Sequence, residues 1–187
     1  MKNLLIVVFV FCVLSQLSAQ NNSFSQPDTK DFYVDLVAKT AILNGNWGLF
    51  GGMRVGIDIN KNFSLGLVGH GMIPNKLGGS YINQKGRDTL HFGYGGAEAA
   101  YNYYLSKNFY VTSMMMIGAG RVDYANLPGN DYFFIIEPGI SFNYMITNWF
   151  GVGASADYRF AAGVKYADFS NSSFSGWSTD LSFKFKF

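Results

Sequence analysis

The chain has 187 residues and a formal net charge of +2, with 18% aromatic residues, 22 glycines and only 14% charged residues. An ordinary soluble domain carries about 25% charged residues, so this chain must bury an unusually large apolar surface or turn it toward lipid. The length suits one domain, and no basic run suggests a nucleic-acid partner. No cysteine follows Cys12, which excludes a disulfide framework in an exported chain.

The first 19 residues have the three parts of a secretory signal peptide. Lys2 provides the positive start, residues 4–14 form an apolar run, and the small residue Ala19 ends the segment. Cleavage is therefore predicted between Ala19 and Gln20. A membrane anchor is disfavoured because a helix that spans the hydrocarbon core needs about 20 apolar residues.

Apolar and polar residues alternate with a period of two after residue 31, which is typical of half-buried β-strands. The last segment, GWSTDLSFKFKF, is the clearest, with Trp177 and Phe187 at the two ends of its apolar face. No long segment after residue 19 has a helical stripe. Eight strands are predicted in chain order: 32–42, 47–59, 63–72, 90–105, 109–124, 131–146, 149–160 and 176–187.

The connections between these strands differ at the two ends. Tight turns are predicted at 60–62, 106–108 and 147–148, each followed within two residues by an aromatic. The alternate connections include two long ones, 73–89 and 161–175, which are rich in Gly, Asn and Ser. Transmembrane barrels have this asymmetry, with short periplasmic turns and longer extracellular loops.

The apolar face of the strands is predicted to point outward. Eight strands enclose an interior just wide enough to be filled by side chains or to hold one small ligand, so the many large aromatics cannot all fit inside. A soluble, lipocalin-like barrel is the alternative that this volume argument disfavours. The aromatics also fall into two groups near the two ends of the strands, as at the two membrane interfaces.

These features predict an all-β, eight-stranded antiparallel up-and-down transmembrane β-barrel over 32–187, preceded by a periplasmic tail at 20–31. The chain resembles the small outer-membrane barrels of the OmpA and OmpX type in strand count, loop asymmetry and the terminal run SFKFKF. The segments IIEPGISFNY and GASADYRF also resemble uncharacterised barrel proteins of Bacteroidetes-type bacteria. The resemblance implies an outer-membrane location and makes Phe187 an expected signal for the assembly machinery, but it brings no activity with it.

Candidate chemistry is sparse. His70 and His91 flank the long connection 73–89, but the alternation sets His70 on the interior face and His91 on the lipid face, which disfavours a shared metal. The serines of 170–175 have no histidine beside them. We therefore expect no enzymatic activity, no metal and no cofactor.

One interior ion pair is predicted, between Glu137 and Arg159 on the polar faces of adjacent strands. If Ile146 pairs with Phe150 across the turn, the antiparallel register sets Glu137 opposite Arg159. A register slipped by two would set Glu137 against Asp157, and two neighbouring carboxylates are unfavourable. We interpret the pair as a packing and register device rather than a functional site.

The expected function is a structural or surface-interaction role through the long loops 73–89 and 161–175, because loops on a rigid scaffold often carry binding. The expected partners are outer-membrane lipid and the assembly machinery, whereas the sequence does not identify a surface ligand. A narrow channel for small or hydrophobic solutes is the alternative, and a lipid-modifying membrane enzyme is a more remote one.

Overall fold

The computed structural model describes residues 31–73, 90–124, 129–166 and 169–187. Eight antiparallel strands form a closed barrel in which each strand pairs with the next and the last pairs with the first. The predicted signal peptide, and all of the tail except Asp31, lie outside the described residues. The strands are β1 (Phe32–Leu43), β2 (Asn46–Asp58), β3 (Phe63–Met72), β4 (Leu90–Tyr104), β5 (Phe109–Tyr124), β6 (Asn130–Met145), β7 (Phe150–Ala162) and β8 (Gly176–Lys186).

The predicted eight strands and their up-and-down order are confirmed. The tight β2–β3, β4–β5 and β6–β7 turns lie at one end of the barrel, which we call the turn end. The start of β1 and the end of β8 lie at the same end. The strand ends that the other four connections join lie at the opposite end, the loop end. A single short helix, α1 (Asn171–Phe174), lies in the described part of the β7–β8 connection. No helix of the described residues is long and apolar enough to cross a membrane.

The two faces of each strand differ sharply in burial. In β8, Leu181 is 60% exposed on the outside whereas the next residue, Ser182, is 3% exposed on the inside. The same alternation runs through β1, where Leu36 is exposed and Asp35 is buried. The predicted orientation, apolar outward and mainly polar inward, is therefore confirmed along these strands.

Two inward-facing glycines allow the wall to curve between β4 and β5. Gly96 pairs with Gly118, and a Cβ built on either residue would come 2.6 Å from the Cα of the other. No side chain fits such a close backbone approach.

Candidate functional site

The interior of the barrel is closed at the loop end by four phenylalanine rings, which we call the aromatic cluster: Phe50, Phe92, Phe133 and Phe174. Phe174, from α1, lies 5.0 Å from both Phe92 and Phe133 between ring centres. The backbone N–H of Asn44 in the β1–β2 turn donates to the carbonyl of Ser173 at 2.8 Å, which holds α1 over the lumen. The interior at the loop end is therefore filled by large aromatic rings.

Arg159 lies directly beneath the aromatic cluster and is fully buried. Its guanidinium carbon is 5.2 Å from the ring centre of Phe92 and 5.1 Å from that of Tyr94, which is within the range of cation–π attraction. Its Nε donates to the carbonyl of Phe174 at 2.6 Å and its Nη2 to that of Ile42 at 3.3 Å. Arg159 thus joins β7 to the end of β1 and to α1.

A charged layer fills the middle of the lumen around Lys39 and Arg54. Lys39 Nζ donates to Glu137 Oε1 at 2.6 Å and to Asp157 Oδ2 at 3.2 Å. Arg54 Nε donates to Glu98 Oε2 at 3.1 Å. All five side chains are at most 8% exposed. Because these pairs connect β1 with β6 and β7, and β2 with β4, they reach across the lumen rather than along one strand pair.

The predicted ion pair between Glu137 and Arg159 is wrong, although the register behind it is right. Ile136 pairs with Phe160 and Gly139 with Asp157, so Glu137 and Arg159 are aligned on neighbouring strands. Both carboxylate oxygens of Glu137 are nevertheless engaged by the opposite wall, Oε1 by Lys39 and Oε2 by the Tyr94 hydroxyl at 2.9 Å. In a lumen this narrow, side chains from strands that are not neighbours in the sheet reach Glu137 and bind its carboxylate in place of Arg159.

A chain of hydrogen bonds runs around the interior near the turn end. Ser64 donates to Asp58 at 2.6 Å, Asn102 donates to Ser64 at 3.1 Å, and Thr112 donates to Asn102 at 2.7 Å. Asn143 continues the chain by donating to Thr112 at 3.0 Å. These residues come from five consecutive strands, β2 to β6, so the chain fixes their relative heights. Such connected networks satisfy buried polar groups that would otherwise cost stability.

A cavity of about 20 Å³ lies between the charged layer and this hydrogen-bond chain. Its lining includes Tyr33, Asp35, Arg54, Asn102 and Lys184. A water molecule needs roughly 10–15 Å³ by the same kind of measure, so the cavity accommodates about one water molecule. The aromatic cluster lies above this cavity, toward the loop end.

The two histidines lie on opposite faces of the barrel wall, as the alternation predicts. His70 is buried in the lumen against the ring of Tyr94, 5.1 Å away. His91 faces outward, and its Nδ1 is 3.3 Å from Asp123 Oδ2. They form no shared site, and no group of three potential metal ligands occurs among the described residues.

Phe187 lies where the barrel closes between β8 and β1. Its N–H donates to the carbonyl of Phe32 at 2.9 Å, and its own carbonyl accepts from the N–H of Phe32 at 3.3 Å. The Phe187 ring is 77% exposed and 6.2 Å from the Phe32 ring. The terminal ring is thus presented on the outer surface at the turn end.

Sequence reasoning missed three residues that organise the lumen: Lys39, Tyr94 and Phe174. Lys39 carried a usable signal, since it lies on the polar face of β1 with Asp35. Tyr94 has the parity of the interior, but the glycines beside it in GYGG leave the alternation without polar residues to mark that face. Phe174 lies in a serine-rich connection, and no local pattern indicates that its ring turns into the lumen.

The barrel is similar to several solved structures. One is the N-terminal β-barrel domain of OprF from Pseudomonas aeruginosa, with a TM-score of 0.59, 14% identity, and coverage of 86% of this chain and 100% of that one. Neisserial surface protein A gives a TM-score of 0.55 at 14% identity, covering 86% of this chain and 98% of that one. Ail of Yersinia pestis gives 0.52 at 9% identity, covering 87% and 100%.

Comparisons at the level of sequence add nothing to this likeness. No family model matches the chain, and no curated protein matches it either. At identities of 14% and below, the structural likeness establishes the fold. The chain has the closed, eight-stranded antiparallel fold of the small outer-membrane β-barrels.

Proposed function

We propose that this protein is exported and resides in a bacterial outer membrane, as an integral barrel with a structural or surface-interaction role. One observation carries the proposal: large apolar side chains are exposed on the outside of the barrel, while charged side chains are buried inside it. Leu67, Phe142 and Leu181 are all more than half exposed. A soluble protein rarely exposes apolar patches larger than a few hundred Å², whereas a lipid bilayer requires such a belt.

The surface role is assigned to the loop end. The filled interior supports a rigid scaffold rather than a narrow channel, because the aromatic cluster and the charged layer occupy successive heights of the lumen. Two of the structural neighbours are named for surface roles, one as a neisserial surface protein and one as an attachment invasion locus protein. We assign no catalytic role to the described side chains.

Cysteine labelling tests the orientation of the wall in lipid. A cysteine at Leu181 or Ile140, which face outward, should react with a lipid-phase probe when the refolded protein is in bilayer vesicles. The matched positions Ser182 and Ser141, each one residue further along the chain, are 3% and 5% exposed in the lumen and should not react with that probe. The sequence alternation and the barrel register both require this difference.

The reverse labelling pattern, with lipid-phase reaction at Ser182 and Ser141 only, would refute the proposed membrane orientation. Labelling at Leu181 by water-soluble reagents alone would refute it as well, because a soluble barrel would then explain the exposure. The four substitutions exchange residues of modest size, so refolding of each variant can be checked first by the heat-sensitive migration typical of folded barrels.

We further propose that Phe187 is recognised by the outer-membrane assembly machinery. Deleting it should lower the membrane-inserted fraction in cells, while refolding in detergent should stay close to wild type because its exposed ring packs only against the barrel surface. The readout is the folded fraction in isolated membranes. Deletion of the ring alone, by Phe187→Ala, separates the side chain from the backbone pairing with Phe32. Normal insertion of both variants would contradict the proposal.

A further inference from the structure

Acidic and basic side chains are confined to one place on the outward face of the eight described strands. The outward positions are otherwise aliphatic, aromatic, glycine or uncharged polar residues. The exceptions are His91 on β4, and Arg121 and Asp123 on β5, and they lie together at the loop end. Charged groups on the outward face of a membrane barrel are costly unless they meet a polar partner. Their clustering therefore places mutually paired polar groups at one height of the outward face.

His91, Arg121 and Asp123, which we call the trio, present the Arg121 guanidinium beside an aromatic ring. Asp123 holds the other two, with Oδ2 3.3 Å from His91 Nδ1 and Oδ1 3.6 Å from Arg121 Nε. The Arg121 guanidinium lies 5.8 Å from the ring centre of Tyr132, its partner in the β5–β6 register. The Arg121 side chain is 54% exposed. Asp123 thus orients a guanidinium that still faces outward.

The height of the trio matches a membrane interface. Tyr132 belongs to the outward aromatics of the loop end, together with the exposed rings of Trp47 and Trp177. Such aromatic girdles mark the level of the lipid headgroups. At this level a guanidinium meets phosphate groups, for which its planar fork can make two parallel hydrogen bonds.

A shallow depression lies on the outward face directly next to the trio, toward the middle of the barrel. Gly93 pairs with Arg121 on one side and with Gly71 on the other, and Gly69 pairs with Gly95. A Cβ added at Gly69 or Gly71 would meet nothing within 4 Å. These glycines carry no side chain of their own, so an extended acyl chain could lie against the backbone there.

We propose that this place binds an anionic, phosphate-bearing lipid of the outer leaflet. The phosphate is held by the guanidinium of Arg121 beside Tyr132, and one acyl chain lies in the depression over Gly69 and Gly71. The bound phosphate belongs to a membrane lipid rather than to a free phosphate ion, because the trio borders an apolar depression that a small ion would not contact. The inference rests on the proposed membrane location.

Native mass spectrometry tests the proposal on the full mature chain refolded into phosphatidylcholine vesicles that contain a minor fraction of phosphatidylglycerol with the same acyl chains. The released barrel should retain phosphatidylglycerol in preference to phosphatidylcholine. Arg121→Gln should lower that retention about fivefold, as expected for one arginine at an anionic surface. Lys107→Gln, the same charge change on an exposed turn at the other end, is the matched control and should retain lipid as the wild type does.

Gly71→Leu tests the depression separately, since a Cβ at Gly71 would meet nothing within 4 Å and the new side chain would occupy the depression. This variant should also lower retention. Ala154→Leu, on the outward face of β7, is its control. Wild-type retention in either Arg121→Gln or Gly71→Leu would overturn the proposal, and so would displacement of the lipid by inorganic phosphate.

Lipid-phase labelling of a cysteine at Leu181 in the same vesicles reports whether the barrel is inserted in the membrane. If labelling succeeds while Arg121→Gln has no effect, only this inference fails, whereas absent labelling refutes the membrane location itself.

Discussion

Replacing Lys39 with methionine should lower the free energy of unfolding of the detergent-refolded barrel by about 3–5 kcal/mol, the usual cost of leaving a buried charge without its partner. Lys39 is fully buried and holds Glu137 at 2.6 Å and Asp157 at 3.2 Å. Without the ammonium group these two carboxylates would face each other in a closed interior. Urea-induced unfolding, followed by tryptophan fluorescence, measures the effect.

Two further variants show whether charge or packing is responsible. Lys39→Met combined with Glu137→Gln and Asp157→Asn leaves nearly the same volume and removes the charges of all three side chains, and should recover much of the lost stability. Lys107→Met removes a lysine from an exposed turn and should change stability by less than about 0.5 kcal/mol. A Lys39→Met barrel as stable as the wild type would show that the charged layer does not hold the walls together.

Replacing Phe174 with alanine should destabilise the barrel by about 3–5 kcal/mol, as for other large-to-small changes at buried aromatics. Its ring is 1% exposed and fills the space between Phe92, Phe133 and Phe169. Phe134→Ala is the matched control: it removes a ring from the outward face of β6, where detergent or lipid fills the gap, so the loss should be clearly smaller. Equal losses would mean that Phe174 does not close the lumen.

The wild type and the Phe174→Ala variant also test whether the lumen conducts ions. In planar bilayers we expect no steady open events from the wild type, because the aromatic cluster covers the charged layer. Phe174→Ala removes one ring of that cluster but leaves the pairs of Lys39 in place, so steady conductance should be absent there too. Steady openings of the wild-type barrel would contradict the closed lumen and favour the narrow channel.

The sequence by itself determined the strands, their faces and one register. Alternation is a local property, because successive side chains of a strand point to opposite faces, so Leu181 and Ser182 could be assigned without knowing their neighbours. The two-residue turn at 147–148 set the β6–β7 register, since turn length fixes which residues pair. The same register holds on both sides of Pro138. Ile136 pairs with Phe160 before it and Gly139 pairs with Asp157 after it, while the two positions between them are unpaired in the ladder.

Only the tertiary structure decided which interior side chains meet. Lys39 and Glu137 are 98 residues apart and belong to strands that are not neighbours, so no local pattern relates them. Their contact depends on how far the strands are staggered when β8 closes onto β1, which sets the height of every residue in the lumen. The same closure brings Phe174 over Arg159. Pairing along the wall follows from sequence, whereas pairing across the lumen follows from the closed barrel.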